Sequence, residues 1–167
     1  EEAAAAFRAA LELFGPDAEP LDRATTLQSL AGALQASAEL QSGRDAWELL
    51  LEAEAAWADS LTVFRRDAHF EEWAIAQSGL GAVWSRKADH MEGEERLMCY
   101  RQAVQACRGA LKFLSPERLP SLWLQNQGRL GKVFIEMAGE LEGAAGVEPL
   151  EESIKAFELG LQICTRE

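Results

Sequence analysis

Histidine, cysteine and proline are all scarce in this 167-residue chain, and each shortage closes a route. The only histidines are His69 and His90. His90 and Glu94 could share one helical turn, but two ligands do not close a zinc site. No glycine-rich phosphate loop, nucleophile elbow or HExxH motif compensates, so neither catalysis nor a metal or cofactor is expected. Cys99, Cys107 and Cys164 form no CxxC pair. Cys107 and Cys164 fall in apolar helical registers, which predicts reduced, buried thiols and a reducing, cytoplasmic setting. No apolar run reaches 18 residues and no signal peptide is visible, so no membrane association is expected. Positive charge is also short, with 16 Lys and Arg against 28 Asp and Glu, a formal net charge of −12. A phosphate backbone is held by neutralising lysines and arginines, so nucleic acid is an unsuitable partner. Valine and isoleucine are sparse beside alanine, leucine and glutamate, which leaves helix as the favoured state.

What is present is a period of 50 residues. Phe7, Trp57, Cys107 and Phe157 share one register, and Leu11, Leu61, Leu111 and Leu161 share another. A third runs through Leu30, Leu80 and Leu130, followed by Ala31, Gly81 and Gly131 and then by Leu34, Trp84 and Phe134. Trp73 and Trp123 keep the same interval. Apolar registers held in phase without an insertion are the mark of stacked supersecondary units, each too small to bury its own face.

Apolar residues at helical spacing predict seven helices, over 2–14, 22–38, 45–65, 70–88, 96–114, 119–138 and 149–165. Gly15-Pro16, Ser42-Gly43, Ser115-Pro116 and Gly143 to Gly146 separate them. Asp22 is the expected N-cap of the second helix, and Pro149 suits the first turn of the last. Short links make consecutive helices antiparallel neighbours. Gly81 and Gly131 lie inside helices, where each costs about 1 kcal/mol relative to alanine. Such a cost fits a neighbouring helix that crosses closely there. Glu71-Glu72, Glu94-Glu95 and Glu151-Glu152 sit near helix starts, where capping explains them better than acid–base chemistry. Glu1 already lies inside a helical pattern, so the chain reads as a piece of a longer protein or as a processed form.

The stretches Trp73–Trp84 (WAIAQSGLGAVW) and Trp123–Phe134 (WLQNQGRLGKVF), with Tyr100–Leu111 (YRQAVQACRGAL) between them, resemble the tetratricopeptide repeat. Leu80-Gly81 with Trp84, and Leu130-Gly131 with Phe134, match the Leu-Gly-x-x-aromatic pattern of that family's first helix. Tyr100, Ala103 and Ala110 match its second helix, with Cys107 in place of an aromatic. The resemblance is to the long-unit variety common in bacterial multidomain proteins, whose joints Pro120-Ser121-Leu122-Trp123 and Thr165-Arg166-Glu167 resemble. It implies an all-α domain of antiparallel pairs stacked as a right-handed superhelix. The units would be 22–66, 70–116 and 119–165 within a single 1–167 repeat domain, preceded by a lone second-type helix over 2–14.

In this family the first helix of each pair lines a concave groove for extended peptides or helices of partner proteins. Carried over by register, the groove residues are Thr25, Gln28, Gly32 and Gln35 in the first unit. Ile75, Ser78, Ala82, Ser85 and Arg86 follow in the second, and Gln125, Gly128, Lys132, Ile135 and Glu136 in the third. Arg86 and Lys132 alone do not make the lysine- and asparagine-rich clamp used for C-terminal carboxylates. The expected function is a non-catalytic scaffold that binds a protein or peptide. One alternative is homo-oligomerisation through terminal apolar faces carrying Phe7, Leu11, Phe157 and Leu161. The other is the regulatory arm of a larger enzyme.

Overall fold

The computed structural model describes residues 2–15, 18–141 and 143–164. Seven α-helices account for the described regular structure, with one 3-10 turn and no strand among those residues. They are α1 (Glu2–Leu13), α2 (Pro20–Glu39), α3 (Gly43–Ser60), α4 (Phe70–Ala88), α5 (Gly93–Leu111), α6 (Pro120–Glu140) and α7 (Val147–Cys164). The fold is all-α, as expected. Pro16, the joint Thr165-Arg166-Glu167 and the side chain of Cys164 lie outside the described residues.

Helix ends differ from the sequence expectation for physical reasons. Helix α2 starts two residues early because Pro20 has no amide proton to leave unpaired at a first turn. Glu19 is therefore at the cap, without a side-chain hydrogen bond, and Asp22 is already helical. Helix α3 stops at Ser60 rather than continuing to 65. Leu61, Thr62 and Val63 tighten into successive bonds to the third residue back, while the Ser60 hydroxyl donates to the Trp57 carbonyl at 2.7 Å. Helix α5 ends in the same way at Leu111, ahead of Pro116.

The period reappears in the connections. Gly43, Gly93 and Gly143 are the three glycines with positive φ, at 63°, 54° and 59°. Each turns the chain from a first-type helix toward its second-type partner, in a backbone region that a Cβ disfavours. Before α4 and α6 the amides of His69 and Leu119 bond to the carbonyls of Arg65 and Ser115. The amides of Trp73 and Trp123 then bond to the carbonyls of His69 and Leu119, both at 2.9 Å.

Helices pair as α2 with α3, α4 with α5 and α6 with α7, while α1 packs on α2, α3 on α4 and α5 on α6. The backbones of first-type helices also approach each other, α2 with α4 and α4 with α6, whereas those of α3, α5 and α7 stay apart and α5 meets α7 through Arg108 and Glu152. The result is two layers, with α2, α4 and α6 forming the continuous inner one. The glycine crossings occur where the sequence predicts them. A Cβ on Gly81 would lie 2.6 Å from Cys107 Sγ, and one on Gly131 would lie 2.5–2.7 Å from the Phe157 ring. A third crossing, Gly79 against the Trp57 indole, has no counterpart in the repeat.

Candidate functional site

A trough runs across the inner layer. Its upper part is a recess of 270 Å³ walled by Gly32, Gln35, Ala36 and Glu39 of α2, Ile75 and Ala82 of α4, and Gln125 and Arg129 of α6. The lower part, 590 Å³, is walled by Glu39, Ala82, Ser85, Arg86, Gln125, Gly128, Arg129 and Lys132. Glu39, Ala82, Gln125 and Arg129 belong to both, so the two recesses are continuous.

Most of the expected groove residues gather here: Gly32, Gln35, Ile75, Ala82, Ser85, Arg86, Gln125, Gly128 and Lys132. Ser78 lies in the floor but is only 4% exposed, and its hydroxyl accepts the Asn126 amide at 2.8 Å. It joins α4 to α6 and is not free for a ligand. Thr25 is not in the trough. Its hydroxyl donates to the Leu21 carbonyl one turn back, an arrangement that satisfies the side chain within its own helix. Gln28 is also elsewhere, because its amide reaches across to the Glu72 carbonyl at 2.9 Å and ties α2 to α4. Ile135 and Glu136 are exposed outside the trough walls.

Two charged walls escaped the register argument. Arg129 falls four residues after Gln125 and three before Lys132, so it shares their helix face. Glu39 follows Gln35 by one turn in the same way. That spacing was the available signal. Arg129 bonds through one guanidinium nitrogen to the Ser78 carbonyl at 3.3 Å, and its positive charge opposes the upward push that burial gives the Cys107 thiol. Arg86 pairs loosely with Asp89 at 3.6 Å. The lower trough thus sets three cations against the single carboxylate of Glu39.

No protein-family model, curated protein or solved structure matches this chain. Its chemistry is read from its own residues. His69 heads α4 with its ring 5.8 Å from that of Phe64 at an interplanar angle of 67°, and His90 lies 5.6 Å from Trp47 between ring centroids. No group of three His, Cys, Asp or Glu side chains that could hold a metal exists among the described residues. Cys99 and Cys107 are buried free thiols, and burial raises both above the ordinary thiol range. Both are therefore poor nucleophiles. No helix among the described residues is long and apolar enough to cross a membrane.

Sequence reasoning also missed the setting of Lys87. Its ammonium lies 5.1 Å from the Trp47 ring and 4.3 Å from that of Trp84, and it bonds Glu54 at 2.6 Å. With 9% of its side chain exposed, the lysine belongs to the packing between α3 and α4. Trp47 thereby gains the structural role that its sequence position did not disclose.

Proposed function

We propose that this chain is a protein-interaction module of the tetratricopeptide type. In this reading it is not catalytic, and the inner trough receives an extended or helical segment of a partner protein. The supporting observation is the continuity of that trough across α2, α4 and α6, with Ile75 toward one end, Arg86 and Lys132 at the other, and Ala82 and Arg129 where the two recesses join. A segment that is apolar at one end and acidic at the other has the matching chemistry. The stacking of repeats into a right-handed superhelix belongs to the same proposal, as does a place in the repeat portion of a larger bacterial protein.

The test is to pan a displayed peptide library on the chain and titrate a synthetic winner by calorimetry. Micromolar affinity (about −8 kcal/mol) is expected, from a peptide carrying acidic residues. Arg86→Glu with Lys132→Glu should weaken it at least tenfold, a loss of about 1.4 kcal/mol. Unchanged affinity in that double variant would reject this trough as the binding surface.

A further inference from the structure

The outer layer carries a second recess, of 610 Å³, which the partner-peptide reading does not use. Its apolar part is Trp73, Val104, Phe134 and Met137, and its rim holds Arg101, Arg108 and Lys112 of α5. No carboxylate lines it, in a chain with a net charge of −12. Arg101 and Lys112 have no basic counterpart in the repeat, and Arg108 has one only in Arg8, a hundred residues earlier. Fifty residues earlier the same positions are Leu51, Ala58 and Thr62, and fifty later they are Glu151, Glu158 and Gln162.

That last comparison points to the occupant. On α7, Leu150, Ile154, Phe157 and Leu161 form an exposed stripe at helical spacing, 47%, 57%, 40% and 63% accessible. Glu151 and Glu158 each follow a stripe residue directly and are also exposed. They stand seven residues apart, about 10.5 Å along a helix, as do Arg101 and Arg108. An apolar stripe edged by two carboxylates therefore faces its complement in an apolar recess edged by two guanidinium groups at equal spacing. The chain cannot make this contact with itself. Glu152 holds Arg108 at 2.7 Å and marks the side of α7 turned to α5. Phe157 rests its ring on α6 at Gly131, and Leu150, Ile154 and Leu161 lie on the side of the helix opposite Glu152.

We propose that the α7 stripe of one molecule docks in the α5–α6 recess of a second copy of this chain. The pairs that the recess cations now make, Arg101 with Glu94 and Arg108 with Glu152, are both solvent-accessible, and exposed pairs of that kind exchange at little cost. Stripe and recess are different surfaces, so the contact is heterologous and propagates unless the rotation closes a ring.

Sedimentation of the 167-residue chain tests this independently of any peptide ligand. Over about 1–300 μM, a range that brackets micromolar dissociation constants, mass should rise with concentration and fall again in about 1 M salt, where screening acts within about 3 Å. Glu151→Lys with Glu158→Lys should leave monomer, and so should Arg101→Glu with Arg108→Glu. Mixing the two variants should restore association, because each reversed surface then meets its complement. Ile154→Glu, placed in the stripe, should also abolish it without affecting the helix signal. A wild-type monomer throughout would overturn the proposal. So would association that survives both charge reversals, or a mixture that stays monomeric.

Discussion

Replacing Gly79 by alanine is the sharpest test of how the units lock together. A Cβ there would lie 2.5 and 2.7 Å from Cζ2 and Cδ2 of Trp57, and closer still to Cε2. The indole has little room to retreat. It is 6% exposed, and its nitrogen donates to Gln35 Oε1 at 2.7 Å. Gln35 in turn donates through Nε2 to the Gly79 carbonyl at 3.2 Å. Glycine, glutamine and tryptophan therefore form a closed triangle across α2, α3 and α4. Forcing a methyl into such a site costs about 1–3 kcal/mol, against about 1 kcal/mol regained from helix propensity. The net expectation is a loss of up to about 2 kcal/mol. Urea denaturation followed by both far-UV circular dichroism and tryptophan fluorescence would measure it, with coincident curves as the check on two-state behaviour. Gly139→Ala, in α6 with nothing within 4 Å of the new methyl, is the control and should gain about 0.4–1 kcal/mol. In a Trp57→Leu background the penalty at Gly79 should vanish, a coupling of about 1–3 kcal/mol. If Gly79→Ala stabilises as Gly139→Ala does, or if its penalty persists without the indole, the close-crossing argument is wrong.

Two further predictions follow from comparing one repeat with the next. The partly buried pair Lys87–Glu54 occupies the register that Met137 and Val104 fill fifty residues later, where both pack against the apolar core. Transplanting that solution as Lys87→Met with Glu54→Val should leave stability unchanged or raise it by about 1–4 kcal/mol. Lys87→Met alone should destabilise, by less than the about 3–5 kcal/mol of a fully buried pair, because Glu54 keeps 24% of its side chain in solvent. A double variant no better than the single, by urea midpoint, would refute the equivalence. The second concerns Arg8–Glu52 and Arg108–Glu152, which clamp successive second-type helices at 2.6 and 2.7 Å. The matching positions between α3 and α5 are Ala58 and Gln102, both exposed. Ala58→Arg with Gln102→Glu should add about 0.2–1 kcal/mol, lost in high salt, whereas a gain that is equal in either single variant would show that no pair had formed.

These comparisons explain which parts of the molecule were legible in the sequence. A period repeated in phase fixes whatever every copy shares. The helix order follows from it, and so do the breaks at Gly43 and Gly143 and the crossings at Gly81 and Gly131, while the turn at Gly93, in phase with both breaks, emerges only in the structure. It says nothing of what one copy does alone. Gly79 stands in register with Ser29 and Arg129, so no repeat pattern marked it as a contact for Trp57. Ser78 was placed on the groove by register, but Asn126, whose counterparts are Thr26 and Ala76, claims its hydroxyl. Gln28 was misplaced for a related reason, since its long amide reaches the neighbouring helix backbone.

The departures from the repeat therefore fall into two groups, and the division bears on function. Inward ones, such as Lys87, Asn126 and the Gly79–Trp57 contact, meet a specific neighbour and are explained by packing. Outward ones make long or solvent-exposed contacts, such as Arg86 with Asp89 at 3.6 Å and Arg129 with the Ser78 carbonyl at 3.3 Å. In the trough, Arg86 stands where Ala36 and Glu136 stand in the other units, Arg129 where Ser29 and Gly79 do, and Lys132 where Gly32 and Ala82 do. The other units carry no cation at any of these positions. These three cations, brought to one recess of an acidic protein, are the residues on which the proposed binding of an acidic segment rests. The same reasoning applies on the outer layer to Arg101 and Arg108, with the difference that their complement is present in this chain, at Glu151 and Glu158.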